Sequence, residues 1–120
     1  MPAPVVVVHD DPIIRETAIQ ALQAAGFEAV AFDDPMRALA AVEKDSSARV
    51  LVSRINFGPG KLNGPALWRM LKFKRSPGLP ITALYVDAQK NAPHVDNDEF
   101  LPLPLDAVRL VGAVQRLLAG

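Results

Sequence analysis

The sequence predicts a doubly wound α/β domain, a five-stranded parallel sheet in the order 2-1-3-4-5 with helices on both faces. Short apolar runs alternate with segments of helical period along all 120 residues. The first run, Val5–Val8, is continuously aliphatic rather than alternating, as in a parallel strand buried on both faces. Helix starts are punctuated by a small or acidic residue followed by proline, at Asp11-Pro12, Asp34-Pro35 and Gly64-Pro65. With right-handed crossovers, such a sheet places any site at the carboxyl ends of strands one and three.

Strand one spans Val5 to His9. Asp11 then caps a helix whose apolar stripe is Ile14, Ala18, Ala21, Leu22 and Ala25, and Gly26 stops it. Phe27 to Phe32 is the second strand, followed by a helix using Met36, Leu39, Ala40 and Val42. The third strand, Arg49 to Arg54, leads into a long loop, Asn56 to Asn63, and then a helix from Gly64 to Arg75 with Leu67, Met70 and Leu71 inward. Pro80 opens the fourth strand, Ile81 to Val86. Between Asp87 and Asp98 the chain is polar, contains Pro93 and has weak helical spacing, so the fourth helix is expected to shrink to a turn or two. Phe100 to Leu103 is a short fifth strand, and Asp106 caps a closing helix that buries Val108, Val111, Val114, Leu117 and Leu118.

Composition excludes several classes of function. Formal net charge is zero, which gives no global electrostatic case for nucleic acid or membrane binding. The charge is uneven, however: Arg54 to Val86 holds six basic residues and no acid, leaving seven basic against 13 acidic residues elsewhere. There is no cysteine, hence no disulfide, thiolate metal site or cysteine nucleophile. No aliphatic run approaches the length of a membrane span, and the N-terminus lacks the basic start and apolar stretch of a signal peptide. A single cytoplasmic domain, residues 1–120, without an output domain is expected.

At the predicted carboxyl edge, His9, Asp10 and Asp11 lie beside Arg54, with Tyr85 and Leu103 nearby from strands four and five. Clustered carboxylates at such an edge suit Mg²⁺, which takes oxygen ligands. A permanently charged guanidinium among them takes over that electrostatic role, so an Arg54–Asp10 ion pair is expected in place of a bound ion, and no cofactor. Asp11 is most simply the helix cap, and His9 a hydrogen-bonded strand-end histidine. Ser53 is displaced by strand alternation to the face opposite Arg54 and is expected to pack rather than act as a nucleophile. The GPGKLNG loop (58–64) lacks the third glycine of a dinucleotide fingerprint and follows strand three rather than strand one, so it is ordinary loop geometry.

The runs VVVVHDDPIIRE, RVLVSRINFGPGKLNG, PITALYV and FLPLPLDAVRLVGAV together resemble a bacterial response-regulator receiver (CheY-like) domain over essentially the whole chain. The resemblance implies a flavodoxin-like fold and a place in a two-component phosphorelay. It puts the family's paired Mg²⁺-holding acids on His9 and Asp10, with Asp11 following. The phosphoacceptor aspartate falls on Arg54, the strand-four hydroxyl residue on Tyr85, and the lysine of the strand-five lysine-proline step on Leu103. None of these three residues can perform the family's chemistry. The resemblance therefore implies a degenerate pseudo-receiver, not phosphorylatable and not an enzyme, that acts by binding a sensor kinase, a phosphotransfer protein or an output protein.

Two other functions stay open on these residues: a metal-dependent receiver with a non-standard acceptor, and an adaptor for nucleic acid or acidic partners. The adaptor would use Arg69, Lys72, Lys74 and Arg75 on helix three, with Trp68 or Phe73 for stacking. A solvated helix face explains those charges more simply, and nucleic acid is not the expected partner. The broadly apolar closing helix carries surplus aliphatic surface suited to a homodimer.

Overall fold

The computed structural model describes residues 5–44, 48–74, 81–88 and 100–119. Its elements are β1 (Val5–Val8), α1 (Pro12–Ala24), β2 (Ala29–Phe32), α2 (Pro35–Lys44), β3 (Val50–Ser53), α3 (Gly64–Lys74), β4 (Thr82–Asp87), β5 (Phe100–Pro102) and α4 (Ala107–Ala119). The five strands form one parallel sheet in the order β2-β1-β3-β4-β5, the topology expected from the alternation of apolar runs. The segment expected to hold a shortened fourth helix lies outside the described residues apart from Asp87 and Ala88.

Strand alternation sorts the core into two layers. Val5, Val7, Val50, Val52, Leu84 and Val86 face α1 and α4, meeting Ala18, Leu22, Leu110, Ala113 and Val114. Val6, Val8 and Leu51 face α2 and α3, meeting Ala38, Leu39, Val42, Leu67 and Leu71. All four valines of β1 are buried, each contributing roughly 1.5–3 kcal/mol, which is why an unbroken aliphatic run occupies the strand with neighbours on both sides.

The helix boundaries follow local chemistry. Asp11 caps α1, its Oδ1 accepting the Ile13 N–H at 2.9 Å and the Ile14 N–H at 3.5 Å, with Pro12 at the first helical position. The helix ends in a Schellman arrangement: Phe27 N–H donates to the Leu22 carbonyl, Gly26 N–H donates to Gln23, and Gly26 adopts φ +91°. Phe27 is used in this exit, and Glu28, whose carbonyl accepts the Val5 N–H at 3.3 Å, leads into β2, which starts at Ala29 rather than at Phe27. Asn63 caps α3 by accepting the Ala66 N–H at 2.8 Å.

Several expectations about burial are corrected. Val108 is 81% exposed instead of buried, because Leu110, Ala113 and Val114 set the inward face of α4 and a residue two positions before Leu110 points away from it. Met36 and Ala40 are likewise exposed, the inward face of α2 being Ala38, Leu39 and Val42, and Ala25, just past the end of α1, is exposed as well. Val111, Leu117 and Leu118 are half-buried.

Candidate functional site

The backbone ladder continues just past the strands, and this lines up the site. His9 N–H donates to the Phe32 carbonyl and Arg54 N–H donates to the Val8 carbonyl, each at 3.1 Å. His9, Asp10 and Arg54 therefore emerge side by side at the carboxyl edge of β1 and β3.

Arg54 Nη1 donates to both oxygens of Asp10, at 2.7 and 2.9 Å. The side chains are 34% and 40% exposed, so the pair is only partly shielded from water. The guanidinium also faces a second carboxylate, with Nε 3.6 Å from Oδ2 of Asp87. The hydrogen bond to Asp10 is the largest of the influences that raise the pKa of Arg54, so the group stays charged at any working pH.

His9 is buried at 3% exposure. Its Nδ1 accepts the Asp11 N–H at 3.1 Å, which puts the ring proton on Nε2, and its carbonyl accepts from Arg15 Nη1 at 2.8 Å. Nε2 makes no hydrogen bond among the described residues. Burial pulls the His9 pKa below its ordinary value, against the opposing pull of Asp10 3.6 Å away. Asp11 is the helix cap described above and forms no ion pair with Arg54.

Tyr85 is not part of this edge. It pairs in register with Ser53, is 4% exposed, and packs with Ile55 and Ala83 beneath Trp68 and Phe100. The end of β4 is Asp87, because the strand runs one residue beyond Val86. Asp87 is the site residue that sequence reasoning missed. Its Oδ2 accepts the N–H groups of Ile55 and Asn56, both at 3.2 Å, and its Oδ1 accepts the Ala88 N–H at 2.7 Å. An acid placed directly after an apolar strand, as Asp10 follows β1, was the available signal. Leu103 lies just past β5, half-buried against the α1–α4 core layer, with its N–H donating to the Asp87 carbonyl at 3.2 Å. The Leu103–Pro104 peptide is cis.

The loop after Arg54 is tightly built. Gly64 N–H closes it onto the Ile55 carbonyl at 2.8 Å, Asn56 Oδ1 accepts the Gly58 N–H at 2.9 Å, and Phe57 is buried in the α2–α3 core layer. A Cβ on Gly64 would collide with the Arg54 carbonyl and crowd Tyr85 and Ser53. Ser53 itself is buried at 1%, its hydroxyl donating to the Arg54 carbonyl at 2.8 Å.

The described basic residues of α3, Arg69 and Lys72, do not join this site. Arg69 and Lys72 are exposed, and Lys72 Nζ stacks 4.3 Å over the Trp68 ring. Arg75 and the side chains of Phe73 and Lys74 lie outside the described residues. Among the described residues no group of three or more His, Asp or Glu is placed to hold a metal ion, and no helix is long and apolar enough to cross a membrane.

With this geometry in hand, comparison with solved structures gives a consistent result. The chemotaxis protein CheY4 of Vibrio cholerae superposes with a TM-score of 0.77 at 21% identity, covering 98% of this chain and 99% of that one. The receiver domain of the hybrid histidine kinase CckA gives 0.76 at 24% identity, covering 95% and 97%. The receiver domain of NtrX from Brucella abortus gives 0.75 at 25% identity, covering 96% and 98%. These neighbours are bacterial response-regulator receiver domains, and the described residues of the chain have their CheY-like fold. No family model matches the sequence, and no curated protein matches it.

Proposed function

We propose that this chain is a receiver-like signalling module of two-component type that takes no phosphoryl group and acts by binding other proteins. Arg54 carries this reading. It stands at the end of β3, where the fold would present a phosphate-accepting carboxylate, and its guanidinium is engaged with Asp10 at 2.7 Å. A guanidinium has no oxygen to attack a phosphoryl donor and repels no anion; it can bind one but cannot form the acyl phosphate.

The donor set argues in the same direction. Mg²⁺ at such an edge requires carboxylate oxygens free to face it. Here both oxygens of Asp10 are turned to Arg54 Nη1, and Asp87 accepts three backbone N–H groups through its two oxygens. His9, in place of an acid, presents a ring nitrogen already accepting from Asp11. These residues do not fit a divalent cation, and the module is proposed to work without one.

The full-length likeness to receiver domains supports a signalling role rather than an enzymatic one, with a sensor kinase, a phosphotransfer protein or an output protein of the cytoplasm as partner. The test is incubation with a small-molecule phosphodonor and Mg²⁺ followed by intact mass measurement. An unchanged mass is expected; incorporation of one phosphoryl group would overturn the reading.

A further inference from the structure

We propose that Asp87 is a clamp that holds the loop between β3 and α3 in one arrangement, so that this face of the module is fixed by the fold instead of being set by modification. The proposal rests on the reading of the site as a receiver pocket that takes no phosphoryl group, and it assigns a positioning role to a residue outside the Arg54–Asp10 pair.

Asp87 is 5% exposed and cannot itself touch a partner. Its chemistry is directed inward. One oxygen, Oδ2, accepts the N–H groups of Ile55 and Asn56, the first two loop residues after Arg54, each at 3.2 Å. The other oxygen accepts the Ala88 N–H at 2.7 Å, which fixes the carboxylate plane from its own backbone. The Arg54 guanidinium lies against the same Oδ2, with Nε at 3.6 Å. A side chain with one oxygen could not take all three amides, and an apolar one would leave the buried Ile55 amide without an acceptor.

Downstream, the loop has few ways to move once those two amides are set. The Ile55 carbonyl receives the Gly64 N–H at 2.8 Å, so the loop is closed at its neck. Phe57 is 8% exposed within the α2–α3 core layer, and Asn56 turns back on Gly58. Asp87 thus joins the end of β4 to the start of the loop, and Arg54 joins both to Asp10 beyond β1. Three strand ends and one loop are tied through a single buried carboxylate.

Amide hydrogen exchange on the whole chain tests the clamp. In the wild type, Ile55, Asn56 and Gly64 are expected to be protected to the same order as Val52 in β3; free exchange at Ile55 and Asn56 would overturn the proposal even if no variant folds. In Asp87→Ala, exchange at these three amides is expected to rise at least tenfold while β1 and α4 are unchanged, and Asp87→Asn, which keeps one acceptor oxygen, should recover part of the protection. Unaltered rates at Ile55 and Asn56, or a uniform rise through β1 and α4, would sink it. Adding the phosphodonor separates the two proposals: a gain in mass with unchanged loop exchange would overturn the proposed function and uphold the clamp.

Discussion

One nitrogen of Arg54 serves both oxygens of Asp10, Nη1 lying 2.7 Å from Oδ1 and 2.9 Å from Oδ2. A two-nitrogen fork would have locked the guanidinium plane onto Asp10 alone. The single-donor contact instead leaves the Nε edge turned toward Asp87 at 3.6 Å. Arg54 is therefore shared between an exposed carboxylate beyond β1 and a buried one on β4, and the two should respond differently to mutation.

The Asp10 arm is the shorter and the more exposed. With side chains 34% and 40% exposed, a double-mutant cycle of Asp10→Ala and Arg54→Ala should return a coupling of about 0.5–1 kcal/mol. Repeating the cycle at 1 M salt should reduce it markedly, as screening acts over a few ångströms there. An undiminished coupling would mean that the pair is more shielded than its exposure indicates.

Replacing the cation with an acid should expose what it neutralises. Arg54→Asp gathers a third carboxylate beside Asp10 and Asp87, and should lower stability by roughly 1–2 kcal/mol, the scale of about one pKa unit of carboxylate crowding. The variant should also gain stability with added Mg²⁺, whereas the wild type should not. Thermal melts of both proteins with and without the ion decide this; identical melting in all four samples would count against Arg54 as the neutralising group.

Gly64 should tolerate no side chain. A Cβ there meets the Arg54 carbonyl, Tyr85 and Ser53, a backbone oxygen and two buried side chains that have little room to swing away. Gly64→Ala is expected to cost about 1–3 kcal/mol, measured by denaturant unfolding, despite alanine's better helix propensity.

His9 gives the fold a pH dependence of known sign. Burial lowers its pKa from 6.5, so the folded protein favours the neutral ring. Above pH 6.5 both states are neutral there and the group adds no slope; as pH falls from 6.5 through the folded value, the unfolded chain takes the proton first and stability is lost. Stability measured from pH 7.5 down to 5 should fall, and His9→Gln should flatten that part of the profile. A slope of the same size in the variant would place its origin in other groups.

Much of this was legible in the residues. The aliphatic run of β1, the Asp11-Pro12 start of α1 and the Gly26 stop are local signals, complete within a few positions, and each acts as its chemistry dictates. Arg54 was legible for a related reason: β1 and β3 both run out where polar residues follow an apolar run, so His9, Asp10 and Arg54 could be aligned by counting back along short strands. Val108 and Met36 resisted because helical spacing gives a stripe but not its centre, and the sheet chose Leu110 and Leu39 as the inward positions.

Composition and periodicity were enough to specify a parallel sheet wound with helices and to place a cation at the end of its third strand, since both depend on spacing within a few residues. Which strand-four side chain reaches that edge was decided by pairing. Ser53 aligns with Tyr85, which tucks the phenol under α3 and leaves Asp87 as the first residue free to turn toward Arg54 and the Ile55 and Asn56 amides. Register between strands separated by some thirty positions is set by the combined fit of both core layers, which extends beyond any one segment of the chain.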